Sequence, residues 1–183
     1  MARAFLVYGP RGAGKTTTTV RLAERIAALG HPVGGFFQRT VTDDLGRRGY
    51  DLVRLTDRSQ TVALARPGAI DQPGTSAVCS FSFRHEAFDT GLGWLRQDAR
   101  AAKVLLIDEV SKLEVRGEGH AAAVRWCLGL DASTVVLLSV RGDQLFYVVE
   151  AFSLDGRIAG YMEIPAESQA VEREAEQIAA TLT

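Results

Sequence analysis

The sequence predicts an α/β fold with three layers, helices on either side of a mainly parallel sheet, and a hairpin-rich antiparallel insertion. Three observations lead there. Short apolar runs such as Ala4–Tyr8, Val104–Ile107 and Thr134–Leu138 alternate with segments of helical periodicity. Strands that are apolar on both faces belong in a parallel sheet covered on both sides. The stretch from about Thr40 to Phe83 breaks this rhythm with brief strand-like runs and turn residues, which marks the insertion. At 183 residues, against a usual domain size on the order of 150, residues 1–183 read as one domain.

Taken in order, Ala4–Tyr8 is a buried strand that stops at Gly9. Lys15–Leu29 is a helix with one apolar face made by Leu22, Ala23, Ile26, Ala27 and Leu29. Gly30 stands where a C-terminal cap belongs, and Pro32 follows. Gly34–Val41, Tyr50–Leu55 and Thr61–Ala65 read as strands joined by the turn-rich Asp43–Gly46 and Asp57–Ser59. Arg66–Ser76, with two prolines and two glycines, reads as a surface loop. Phe88, Leu92, Leu95 and Ala99 mark the next helix, and Val104–Ile107 is a strand ending in Asp108-Glu109. A helix over Ala121–Leu128, the strand Thr134–Leu138, a helical face from Leu145 to Phe152, a strand over Ile158–Ile164 and a final helix from Val171 to Leu182 complete the chain.

Composition narrows the function classes. Twenty-one basic and 22 acidic residues give a net charge of −1 with no block of like charge, so neither nucleic acid nor anionic lipid is an expected partner. Cys79 and Cys127 are far apart and lack zinc-ligand spacing, so a reducing compartment is expected. The first apolar run is too short for a signal peptide. No stretch approaches the ~20 apolar residues of a membrane span. The expectation is a cytoplasmic monomer without membrane association.

Gly9-Pro10-Arg11-Gly12-Ala13-Gly14-Lys15-Thr16 matches the full G-x-x-x-x-G-K-[ST] phosphate-loop (Walker A) pattern, between a strand and an amphipathic helix. Glycines let backbone N–H groups turn toward a β-phosphate, and the helix N-terminus adds its positive end. Lys15 can reach β- and γ-oxygens, Thr16 can coordinate Mg²⁺, and Thr17 is placed for the α-phosphate. These residues predict an α/β P-loop fold. In open parallel sheets the ligand lies outside the carboxyl ends of the strands, which puts Asp108 and Glu109 on the phosphate side. Asp108 is the expected second Mg²⁺ ligand (Walker B), and Glu109 a base for an attacking water.

Glu109 favours hydrolysis over transfer, because a kinase excludes water whereas a base beside the metal acid recruits it. No Asn-Lys-x-Asp sequence occurs, so the guanine-reading element of regulatory GTPases is missing and broad base tolerance is expected. Lys112 is either a cation leaning over the γ-phosphate or a solvated lysine at a helix start. Arg141 either neutralises the γ-phosphate or makes an ordinary ion pair. Arg47 and Arg48 read as solvated turn residues, and the aromatics Phe36, Phe37, Phe81 and Phe83 as core. His31, His85 and His120 are scattered and receive no role.

Several stretches together resemble the cancer-related, or THEP-type, nucleoside triphosphatases. They are Gly9–Thr17, Gly35-Phe36-Phe37, Arg48-Gly49-Tyr50-Asp51, Leu64-Ala65-Arg66, Leu106 through Glu114, the strand ending at Arg141, and Glu163-Ile164-Pro165. Their order holds from residue 3 to about residue 182. The resemblance implies slow, Mg²⁺-dependent hydrolysis of several nucleoside triphosphates and a role for Lys112 and Glu114. Two departures stand out: Gln38-Arg39-Thr40 follows where the family usually carries Thr and Glu, and Ser111 replaces a usual Gly.

The residues and the resemblance together imply Mg²⁺-dependent hydrolysis of ATP, GTP, CTP and UTP to the diphosphate and phosphate. A small-molecule kinase and a nucleotide-controlled binding module are the alternatives.

Overall fold

The apolar runs become neighbouring parallel strands. The computed structural model describes residues 1–46, 48–68, 74–78, 80–167 and 169–182. Its first half comprises β1 (Arg3–Gly9), α1 (Lys15–Ala28), β2 (Val33–Thr42), β3 (Arg48–Arg54), β4 (Thr61–Pro67), β5 (Thr75–Val78), β6 (Phe81–Arg84) and α2 (His85–Asp98). The second half comprises β7 (Val104–Val110), α3 (Lys112–Val115), α4 (Ala121–Leu128), β8 (Val135–Arg141), a 3-10 turn (Gly142–Gln144), α5 (Leu145–Ala151), β9 (Ile158–Glu163) and α6 (Ala170–Ala180). The described strands form one sheet in the order β5-β6-β4-β3-β2-β7-β8-β1-β9. The five strands from β2 to β9 in that order pair in parallel, and the four beyond β2 continue antiparallel.

Strand alternation divides the core into two layers. Leu6, Leu105, Ile107 and Leu138 point to one side, where Leu95 of α2, Val124 of α4 and Val148 of α5 cover them. Phe5, Val7, Leu106 and Leu137 point to the other and meet Leu22 and Ile26 of α1 and Ile178 of α6. Each such side chain is fully or nearly fully buried and contributes roughly 1.5–3 kcal/mol of transfer free energy.

β2 belongs to both halves of the sheet. Val33–Phe36 pair in parallel with Val104–Ile107, after which Phe36–Thr42 pair antiparallel with β3. The antiparallel part therefore begins within β2, earlier than the expected Thr40, and runs to Arg84. Arg48 opens β3 and does not sit in a turn, because ladder pairing with Thr42 extends the strand to it. The expected loop at 66–76 is shorter, since Arg66 and Pro67 still pair with β6 and Thr75 and Ser76 already belong to β5. Residues 69–73 of that loop lie outside the described residues, as do Arg47 and Cys79. β5, β6 and α3 were not anticipated: each spans four residues, too few for a period to register. Cys127 is a buried free thiol.

Two local devices hold the site's scaffold. Gly35 has φ +103°, and a Cβ there would lie 2.1 Å from the Leu106 carbonyl oxygen. Its N–H donates to Asp98 Oδ2 at 2.9 Å, and Asp98 Oδ1 accepts from Arg54. This ties the end of α2 to β2 and β3. In the turn from β7 to α4, buried Glu114 accepts the backbone N–H groups of Ser111 (2.8 Å) and His120 (2.9 Å). Ser111 reciprocates by capping the backbone of Glu114. Burial pushes the Glu114 carboxyl up to about 7 and the His120 imidazole down to about 3.

Gly35→Ala is expected to destabilise the protein by roughly 3–5 kcal/mol, combining positive-φ strain with overlap against the Leu106 backbone; urea unfolding measures this. The two buried titrating groups oppose one another in acid. Glu114 holds its proton longer in the native state, so its contribution falls as pH rises from about 4.5 to about 7. His120 stays neutral in the native state while the unfolded chain protonates, so its contribution falls as pH drops below about 6.5. Between pH 7 and 5, Glu114→Gln should therefore lose Tm relative to wild type on acidification, and His120→Leu should gain it. Thermal melts of the three proteins across that range check both slopes, and parallel curves would contradict the assignment.

Candidate active site

β1 ends at Gly9, where a Cβ would come within 2.5 Å of the Ile164 carbonyl oxygen, so only glycine passes beneath the end of β9. Gly12 and Gly14 have φ +78° and +90°, turning the loop so that Gly14 opens α1. No side chain caps α1, which leaves its first N–H groups directed at whatever sits above the loop. Lys15 is nearly buried, and its Nζ donates to the Pro10 carbonyl at 3.0 Å, laying the ammonium back across the loop. Thr17 stands exposed one residue beyond Thr16. The loop thus places Gly9, Pro10, Arg11, Gly12, Ala13, Gly14, Lys15, Thr16 and Thr17 in one turn at the carboxyl edge of the sheet.

Asp108 and Glu109 occupy that same edge. Asp108 is fully buried; Oδ2 accepts from Thr16 Oγ1 at 2.8 Å and from the Gln38 N–H at 3.0 Å, and Oδ1 accepts from Ser139. Burial pushes its carboxyl upward while those three donors pull it down. The β7–β8 register skips between Ile107 and Val110, and Glu109 within the skip has φ +60°. A bulge beside a strand end re-aims a side chain, and a glutamate in the left-handed region persists only where its surroundings hold it. Here the Glu109 N–H donates to Ser139 Oγ at 2.9 Å. Burial, and next the Asp108 charge, push the Glu109 carboxyl upward; Lys15, Arg141 and Arg11 oppose this. A half-buried carboxylate with a raised pKa is a stronger proton acceptor than a free one.

Arg141 faces Gly9 in the β1–β8 register. Its Nε and Nη2 donate to Asp143 at 3.1 and 2.7 Å, so it is ion-paired and still close enough to act on Glu109. Lys112 opens α3 at the rim of the same edge, exposed. Thr16 Oγ1 and Asp108 Oδ2 form an adjacent pair of hard oxygen donors, the set a small divalent cation takes alongside water and phosphate oxygens.

Beside the loop opens a cavity of about 320 Å³, lined among others by Lys15, Glu109, Arg141, Tyr50, Phe83 and His120. Arg48, assigned no function from sequence, lines it, as do Phe81 and Phe88. Phe81 and Phe83 also pack on the core as expected. Sequence reasoning missed Ser139, His120 and the Gln38 N–H. Ser139 carries a signal, a lone hydroxyl inside the apolar strand Val135–Val140; a backbone donor carries none.

Comparison with known proteins identifies the family. The model of the NTPase family matches residues 4–156. The cancer-related nucleoside-triphosphatase homolog of Mus musculus is 30% identical over 143 residues, 74% of each chain. The nucleoside-triphosphatase THEP1 of Thermofilum pendens is 29% identical over 163 residues, 88% of this chain and 82% of its own. The solution structure of a human cancer-related nucleoside triphosphatase superposes with a TM-score of 0.71 at 25% identity, covering 100% of this chain and 98% of that one. With the phosphate loop, the buried acid and the re-aimed glutamate on one sheet edge, this chain belongs to the NTPase family and is a nucleoside-triphosphate hydrolase of the P-loop fold.

Proposed function

We propose that the chain hydrolyses nucleoside 5'-triphosphates to the diphosphate and inorganic phosphate, with Mg²⁺ and with little preference among ATP, GTP, CTP and UTP. The observation that carries this reading is Glu109, set immediately after the buried Asp108 and turned by a bulge into the left-handed region. The loop N–H groups and Lys15 bind the phosphates, and Thr16 and Asp108 would hold the cation. Bound there, Mg²⁺ would neutralise charge on the β- and γ-phosphate oxygens. Glu109 takes a proton from a water as the water oxygen bonds to the γ-phosphorus; the bridge to the β-phosphate breaks, and the diphosphate leaves. Arg141 and Lys112 add positive charge at the γ-phosphate end. Base tolerance follows from the missing guanine-reading sequence.

Glu109→Gln keeps size and reach, so it is expected to bind Mg·ATP within about twofold of wild type while turnover falls at least a hundredfold, the usual contribution of a general base being about 10²–10⁴. Asp108→Asn should instead raise the Mg²⁺ requirement and lower the rate together. Lys15→Ala should weaken triphosphate binding and abolish turnover with the fold intact. Calorimetry and phosphate release across a Mg²⁺ titration separate the three, and near-normal turnover in Glu109→Gln would remove the base assignment. Rates for the four triphosphates should fall within roughly tenfold, about 1.4 kcal/mol in transition-state binding. The acid limb of the wild-type rate profile should lie above the ordinary carboxylate range, because burial and the neighbouring Asp108 keep Glu109 protonated to higher pH.

A further inference from the structure

The cavity beside the phosphate loop is lined by Lys15 and Glu109, but Thr16 and Thr17 take no part in its walls. It therefore opens at the γ-phosphate end of the loop. A triphosphate seated with its γ-phosphate at Lys15 and Glu109 and its α-phosphate at Thr17 leads its own nucleoside away on the far side. The space beyond the γ-phosphate is left to something else.

The walls state what fits. Tyr50 and Phe81 lie 5.3 Å apart between ring centroids, and Phe83 and Phe88 stack at 6.2 Å with planes only 14° apart. Phe88 meets the His120 ring edge-on at 4.8 Å. These rings come from β3, β6, α2 and the start of α4, and together they make an aromatic wall suited to a flat ring. His120 is 1% exposed, yet neither Nδ1 nor Nε2 has a hydrogen-bond partner. A neutral imidazole carries one donor and one acceptor, and buried polar atoms of a native protein are ordinarily satisfied. Arg48, on the same cavity, adds a cation near its mouth. The volume of about 320 Å³ falls at the lower end of small-molecule sites, roughly 300–1,000 Å³.

We propose that this cavity binds a second ligand beside the γ-phosphate, a planar nitrogen heterocycle carrying a phosphate, the class to which nucleoside monophosphates belong. The heterocycle rests on Phe83 and Phe88 and exchanges hydrogen bonds with His120, and its phosphate lies toward Arg48. The inference rests on the assignment of Lys15 and Glu109 to the γ-phosphate end.

The test uses the full chain saturated with Mg·ADP, so that the phosphate loop is filled. Each of AMP, GMP, CMP and UMP, and each parent nucleoside, is titrated in turn by ligand-observed saturation-transfer NMR and by calorimetry. At least one monophosphate is expected to bind with ADP still in place. Phe83→Ala and His120→Leu should weaken it at least tenfold and His120→Gln should restore part of the loss, while Mg·ADP affinity stays within twofold. Arg48→Ala changes an exposed side chain and keeps the test valid should the buried variants fail to fold; it should weaken the monophosphate but not its nucleoside. Absence of binding to the ADP-saturated protein overturns the proposal. So does displacement of the monophosphate by ADP together with weaker ADP binding in Phe83→Ala, which would assign the cavity to the substrate's own base. If Mg·ADP itself fails to bind the wild type, the phosphate-loop reading fails and takes this inference with it; if ADP binds and no monophosphate does, only this inference fails.

Discussion

One buried carboxylate fixes the arrangement of everything around it. Asp108 has no exposed surface, and an ion so placed carries a desolvation cost of several kcal/mol that hydrogen bonds must offset. Its donors come from three different elements: Thr16 from α1, the Gln38 N–H from β2 and Ser139 from β8. Each donor to a charged group contributes about 1.5–3 kcal/mol, so displacing any one element leaves a carboxylate short of partners in a dry environment. The phosphate loop, the switching strand and the strand bearing Arg141 are thereby held in register by a single side chain. The same oxygen that accepts from Thr16 is the one a cation would share, so metal binding and scaffold integrity meet at one atom.

The parts legible in the sequence are those in which one residue type has one physical use. The phosphate loop is legible because Gly12 and Gly14 must adopt positive φ and Lys15 must follow at once. The parallel strands are legible because burial on both faces leaves no polar alternation, and α1 because its apolar face repeats at the helical period. What escaped was relational. Nothing in Gln38 announces that its backbone N–H reaches Asp108, since any residue supplies that group. His120 shows no motif; its meaning comes from Phe36 and Phe88, which lie 84 and 32 residues earlier in the chain and meet its ring only after folding. Arg48 read as a turn residue because its neighbours are turn formers, and pairing with Thr42 overrides that local preference. Glu114, which the family resemblance marks, accepts two backbone N–H groups of the α3 turn and also lines the cavity, and neither relation is visible in the sequence.

Glu109 shows how a strained backbone, held by a neighbouring hydroxyl, can set a residue's position. Its φ of +60° costs on the order of 1–3 kcal/mol for a non-glycine residue. The strain is absorbed where β7 skips a residue against β8, and Ser139 serves both sides of the skip by accepting from the Glu109 N–H and donating to Asp108. Ser139 thus ties the backbone of Glu109 to the carboxylate of Asp108, so the residue placed to take a proton and the acid that holds the scaffold are fixed through one hydroxyl. The Asp108 charge that Ser139 helps stabilise is also part of what raises the Glu109 pKa.

The swing of β2 explains why the site has two compartments. Had β2 stayed parallel to β7 beyond Phe36, its backbone would run on beside Asp108 and Glu109. Because β2 leaves β7 at Phe36 and carries β3, β4 and β6 with it, the β2–β7 ladder opens beside Asp108 and Glu109, near the end of β7. The gap is walled by side chains from the antiparallel half, among them Tyr50 and Phe83. The turn that Glu114 braces supplies the remaining wall by delivering His120 to the same space. The two halves of the sheet therefore do different chemical work. The parallel half, tied together by Asp108, carries the phosphate loop, whereas the antiparallel half supplies Tyr50, Phe81 and Phe83 to the cavity beside it. Gly35 sits in β2 just before the divergence, pressed against the Leu106 backbone, and this close approach is what allows one strand to serve both halves without leaving a gap between them.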